Sequence, residues 1–146
     1  MPRSLLLLPL LALVGCGGDG KPPTLPATGK VVYRKSATAI PTGALVVFHP
    51  VDPAVEKRIG GKPFAKVKED GTFALTSYEE GDGAPEGEYG VTVQWNREAK
   101  PGKLSLGSEG GGGQQMLNGK YSNPSQPFTK VTVKKGDKNE FTFDVD

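Results

Sequence analysis

From residue 29 to residue 146, wherever the apolar residues show a pattern, it has a period of two. A strand turns successive side chains to opposite faces, so this period specifies half-buried strands, whereas a helical surface needs a period of 3.6. Tyr89, Val91, Val93 and Trp95 alternate with Gly90, Thr92 and Gln94 and give the cleanest strand in the chain. Val31 and Tyr33 mark one face of a strand over Lys30–Lys35. Ala44, Val46 and Phe48 alternate with Leu45, Val47 and His49, apolar on both faces as in a central strand. Ala65 and Val67, then Phe73 and Leu75, mark two short strands with Asp70-Gly71 between them, a hairpin signal because Gly takes the positive φ that tight turns need. Val131 and Val133 lead through Lys135-Gly136-Asp137 into Phe141, Phe143 and Val145. No window of useful length shows a helical period. Seven short strands separated by turns predict an all-β domain, a seven-stranded antiparallel β-sandwich with the Val, Phe, Tyr and Trp side chains between its sheets.

Composition needs segmenting before it says anything. The chain of 146 residues holds 21 Gly and 13 Pro, near the level at which disorder becomes the default reading. Residues 17–29 hold seven of these and Lys100–Gly113 another seven, so the signal is local. The first stretch reads as a tether and the second as a long loop. The formal charge of +2 argues against a nucleic-acid partner, which calls for a basic stripe. One Cys and one His exclude a disulfide framework and His-rich or multi-Cys metal sites.

Residues 1–15 carry one positive charge, Arg3, ahead of a ten-residue run from Leu5 to Val14. That is the plan of an export signal, too short to span a bilayer. It ends in Leu13-Val14-Gly15-Cys16, which resembles the bacterial lipobox. The resemblance implies cleavage between Gly15 and Cys16 and a diacylglyceryl group on the Cys16 thiol, with further acylation of the new amino group. At about 0.8 kcal/mol per buried CH₂, two acyl chains suffice for stable attachment. The organisation expected is therefore a signal peptide over 1–15, a lipidated tether over 16–28 and a domain over 29–146. Gly17 follows the cysteine; in lipoprotein sorting an Asp there favours the inner membrane, so the analogy points to the outer membrane.

Gly29-Lys30-Val31-Val32-Tyr33, Ile40-Pro41-Thr42-Gly43, Glu69-Asp70-Gly71-Thr72-Phe73 and Pro85-Glu86-Gly87-Glu88-Tyr89 occur in an order and spacing that resemble carboxypeptidase-regulatory-like, or transthyretin-like, domains. The resemblance covers roughly residues 29–146 and implies a Greek-key sandwich, mostly in non-catalytic roles: accessory modules, adhesive or carbohydrate-associated domains, and lipoproteins. Tyr89 is expected to bury its ring while its hydroxyl reaches backbone, a corner role.

Candidate chemistry is sparse. No catalytic set is expected, and no cofactor beyond the lipid on Cys16. His49 reads as a surface residue at a strand end. Gly110–Gly113 with Gly119-Lys120 departs from phosphate-loop spacing and has Tyr121 where Ser or Thr is needed. A Lys30–Asn139 isopeptide bond is disfavoured because both residues read as exposed. Glu79, Glu80, Asp82 and Glu86 are clustered carboxylates that could hold Ca²⁺ without EF-hand spacing, although a solvated acidic loop is the commoner reading. For ligand binding the candidates are Trp95, Lys100, Lys103 and Tyr121, around the longest stretch without strand pattern. The expected partners are a membrane, through the anchor, and an envelope protein or polysaccharide. The alternatives are a small envelope enzyme or enzyme accessory, and an ion-binding module built on the acidic loop.

Overall fold

The computed structural model describes residues 20–96 and 115–146. These form nine strands and one helix: β1 (Thr24–Leu25), β2 (Ala27–Tyr33), β3 (Leu45–Pro50), α1 (Pro53–Ile59), β4 (Phe64–Lys66), β5 (Thr72–Ala74), β6 (Ala84–Pro85), β7 (Gly87–Gln94), β8 (Thr129–Val133) and β9 (Asn139–Val145). They build a three-stranded sheet in the order β5-β2-β9, a four-stranded sheet in the order β4-β3-β7-β8, and a two-stranded β1-β6 pair. Alternation decides what each strand buries. Ala27 and Val31 of β2, Phe143 and Val145 of β9, and Phe73 of β5 join Val46 and Phe48 of β3 and Tyr89, Val91 and Val93 of β7 in one core. Phe48 meets Phe141 at 5.6 Å and Phe143 at 6.1 Å between ring centroids, so the two larger sheets share that core. Among the described residues no helix is long and apolar enough to cross a membrane.

An architecture made almost wholly of strands matches the expectation; its details differ. There are nine strands among the described residues rather than seven, because β1 and β6 have two residues each and are too short to show a period. Strand structure also begins at Thr24, inside the stretch assigned to the tether, and Ala27 is already buried. The pairing is not wholly antiparallel. β2 and β9 run parallel in a seven-residue register from Ala27↔Asn139 to Tyr33↔Val145. Side-chain alternation is the same in either direction, so the sequence pattern does not distinguish them. The Asp70-Gly71 turn forms, with the Gly71 N–H donating to the Lys68 carbonyl at 3.0 Å, but its flanking strands diverge into different sheets. The unexpected helix α1 is held by its ends. The Asp52 carboxylate caps the Ala54 N–H at 2.9 Å, Pro53 opens the first turn, and Gly60 closes the helix at φ 77°.

Two contacts fix the sheets. The buried Tyr89 hydroxyl donates to the Pro85 carbonyl at 2.7 Å, tying β7 to β6 and so to β1, as its corner role requires. Burial pushes its phenol up to about 12. Gly29 in β2 lies directly under the Phe73 ring: a Cβ there would fall 2.5 Å from Phe73 Cζ and also strike the Phe141 carbonyl.

Replacing Tyr89 with Phe keeps the ring but removes the buried bond, and is expected to cost about 1–3 kcal/mol in denaturant unfolding. Gly29→Ala should cost a similar amount, about 1–3 kcal/mol, by overpacking the β2-β9-β5 layer. An unchanged melting midpoint in either variant would contradict the packing described.

Candidate binding cleft

β2 and β7 finish at the same end of the domain, where Tyr33, the last residue of β2, meets Trp95, just past β7. Tyr33 and Trp95 pack edge to face, with ring centroids 5.3 Å apart and planes at 76°. Both are half-buried at the margin of the core, consistent with the alternation that carries them there. The turn after β2 supplies the opposite wall. The Thr42 N–H donates to the Ile40 carbonyl at 2.8 Å, the Gly43 N–H to Val67 at 2.8 Å and the Ala44 N–H to Pro41 at 3.0 Å, so this turn is stitched to itself and to the strand beside it. The Met116 N–H donates to the Trp95 carbonyl at 2.7 Å and brings the later segment onto the cleft. The result is a cleft of about 530 Å³ whose lining includes Tyr33, Ile40, Thr42, Trp95, Asn96 and Met116. That volume lies within the roughly 300–1,000 Å³ of small-molecule sites. No lining residue among those described carries a charge. Ile40 is 44% exposed, an apolar side chain left open to solvent at the rim.

Of the four candidate ligand residues, Trp95 lines this cleft. Lys100 and Lys103 lie outside the described residues, as do Gly15 and Cys16. Tyr121 lies outside the described lining of this cleft. It is buried, its ring packs on Phe128 at 5.2 Å, and its hydroxyl bonds the Asp146 carboxylate, whose own N–H returns a bond to the phenol oxygen at 3.2 Å. Lys120 reaches the same carboxylate at 2.6 Å. The bonds from Lys120 and Tyr121 hold that carboxyl below its ordinary value. Tyr121 therefore pins the segment after residue 115 to the end of β9. Tyr33, Ile40, Thr42 and Met116 went unnoticed as site residues. The available signals were Tyr33 as the last aromatic residue of its strand and Ile40 as a large apolar residue heading a Pro-Thr-Gly turn.

Of the four clustered carboxylates, Asp82 serves the local fold. Both oxygens of the Asp82 carboxylate are engaged, one by the Ser77 N–H at 2.7 Å and the other by the Tyr78 N–H at 3.0 Å. Glu79, Glu80 and Glu86 are exposed. Among the described residues no three His, Cys, Asp or Glu side chains converge to hold a metal ion. Asn139 is also not as expected: it is buried, and its amide clamps Lys134 by accepting from the N–H at 2.9 Å and donating to the carbonyl at 3.2 Å. Lys30 is exposed on the neighbouring strand.

His49 is half-buried rather than a free surface residue, and its Nε2 bonds the Thr92 hydroxyl at 2.8 Å. Burial lowers its pKa, the nearby Lys62 charge lowers it further, and Glu56 opposes them. Comparison with protein-family models, curated proteins and solved structures finds no match to this chain.

The His49 shift has a readable consequence. The unfolded chain takes up a proton near 6.5, while the folded chain resists it until a lower pH. Stability should therefore be full above about pH 7 and decline as the pH falls below 6.5 toward the folded value. Melting temperatures between pH 7.5 and 5.5 should show this fall, and His49→Gln should flatten it.

Proposed function

We propose that the chain is an exported lipoprotein of the cell envelope, attached by a diacylglyceryl group on Cys16, whose domain is a non-catalytic binding module. The observation that carries this reading is the leader itself: one positive charge, an apolar run too short to cross a bilayer, and Leu13-Val14-Gly15-Cys16 at its end. A lone thiol on an exported chain is otherwise a liability, and lipidation removes it. Gly17 after the cysteine favours the outer membrane.

The architecture suits such a role. Leu25 and Pro26 lie beside the Lys134–Asn139 turn, and β2 starts there at Ala27. Six residues later β2 ends at Tyr33, in the cleft, at about 3.3 Å per residue some 20 Å from where the strand starts. A tether at one end would thus present the cleft at the other. The finer fold assignment, a transthyretin-like sandwich of Greek-key type, belongs to the same proposal. It is supported by the way the chain leaves the three-stranded sheet after β2, returns at β5 and leaves again for β7.

Cys16→Ser is expected to block processing and release the protein into the soluble fraction. The N-terminal peptide of the native protein should carry the mass of the acyl groups. A Cys16→Ser protein that is still processed and still sediments with membranes would overturn the anchor.

A further inference from the structure

We propose that the cleft formed by Tyr33, Ile40 and Trp95 binds a neutral sugar ring within an envelope polysaccharide. This assignment rests on the reading of the domain as a binding module and names the chemistry of its ligand.

Four features of the cleft select that ligand. First, its described lining is uncharged, so none of these residues offers a counter-ion to a phosphate, carboxylate or ammonium group. A charged ligand would lose hydration on entering and gain no partner among them. Second, Tyr33 and Trp95 both line the cleft, their planes at 76°, and give it aromatic surface. A pyranose has one face made largely of C–H bonds, and aromatic π-faces, which are electron-rich, attract such weakly positive hydrogens. Third, neutral polar groups sit on the same lining. The Thr42 hydroxyl and the Asn96 amide both belong to exposed residues, and neither makes a side-chain hydrogen bond to another described residue. Together they offer donors and acceptors to ring hydroxyls. An occupant that was apolar throughout, such as a leucine side chain or an acyl chain, would have to desolvate these groups without replacing their water bonds. Fourth, the walls are set before any ligand arrives, by the backbone bonds of the Ile40–Ala44 turn and by the Met116–Trp95 bond. A preformed site keeps the ordering cost of binding small.

The cleft also opens at the end of the domain away from Leu25 and Pro26. A surface facing outward from a tethered module can meet a polymer lying beyond it.

Trp95 is the sole tryptophan of the chain, so its emission reports the cleft directly. The full-length Cys16→Ser protein can be applied to an array of immobilised neutral and anionic oligosaccharides of three or more rings, and neutral hits titrated by fluorescence. Binding should appear on at least one neutral class, shift or quench Trp95 emission, and persist in high salt, because no charge pairing is involved. Trp95→Phe should retain most of it, and Trp95→Ala should weaken it at least tenfold. Since Trp95 borders the core, Ile40→Glu provides a second test: it places a charge at an exposed rim position and should also weaken binding at least tenfold while leaving the melting temperature unchanged. Binding to no neutral glycan, binding to anionic glycans alone, or binding only to an apolar dye would overturn the proposal. So would neutral binding that survives both Trp95→Ala and Ile40→Glu. The lipid anchor is tested separately by the mass on Cys16, so an acylated protein that ignores glycans and an unacylated one that binds them give distinct results.

Discussion

The parallel register of β2 against β9 is the constraint on which the rest of the domain depends. It joins the first long strand to the last, Ala27 beside Asn139 through Tyr33 beside Val145, and so closes the three-stranded sheet around the two ends of the chain. β2 is also the only strand that bonds two neighbours in this sheet, with β5 on its other side. A side chain on Gly29 would strike both neighbours at once, the Phe141 carbonyl of β9 and the Phe73 ring of β5. The absence of a Cβ at that one position lets three strands meet at normal spacing while a phenyl ring covers the middle one. A parallel pair needs a long crossover, and here almost the whole described domain serves as that crossover.

Packing between the sheets then follows from the aromatic residues that the register delivers. Phe143 of β9 stacks on Phe73 at 5.8 Å within its own sheet and meets Phe48 at 6.1 Å from the other, while Phe128, just before β8, meets it edge-on at 5.7 Å. Three rings from different stretches of chain thus converge on one. On the far side of the four-stranded sheet β7 is covered too: Gly90 and Thr92 are buried, and a Cβ on Gly90 would fall 2.7 Å from the Pro127 ring. A central strand buried on both faces explains why β7 carries small residues, Gly90 and Thr92, on its outer face and large ones on its inner face.

What the sequence displayed was local and periodic. The β7 alternation, the Asp70-Gly71 turn and the Tyr89 corner bond are each set by residues a few positions apart, and each could be read before the structure. What stayed hidden depended on contacts remote in sequence or on elements too short for a period. The β2-β9 direction is hidden because alternation is blind to it. β1 and β6 have two residues apiece, and α1 has seven, fewer than two helical turns beyond its first. The helix was legible only through its punctuation, Asp52-Pro53 at the start and Gly60-Gly61 at the end, signals that carry no periodicity. The contacts of Tyr121 and Asn139 stayed hidden for a related reason. Each is a polar-tipped residue in a turn-rich stretch, which reads as surface, yet each tip is used by backbone or carboxylate groups that only the fold brings near: Asp146 for Tyr121 and Lys134 for Asn139. The cleft was half legible, since Trp95 could be named but its walls come from the end of β2 and the turn behind it.

These constraints also decide where binding could be placed. At the end where β2 starts, Asn139 and Asp82 use their polar groups on backbone, and that end carries lysines and carboxylates in mixture. It has no single sign of charge with which to grip a charged surface, so electrostatic docking there has little driving force. At the opposite end two exposed pairs form, Arg34 with Asp144 at 2.6 Å and Lys120 with Asp146 at 2.6 Å, each worth little to stability, and Lys35 is exposed beside them. Those pairs engage part of the charge at the far ends of β2 and β9, next to where Tyr33 enters the cleft. Among the described residues the lining of that cleft is uncharged and includes the two aromatic rings. The same register thus separates Leu25 and Pro26, before β2, from the cleft at its end by the length of one strand.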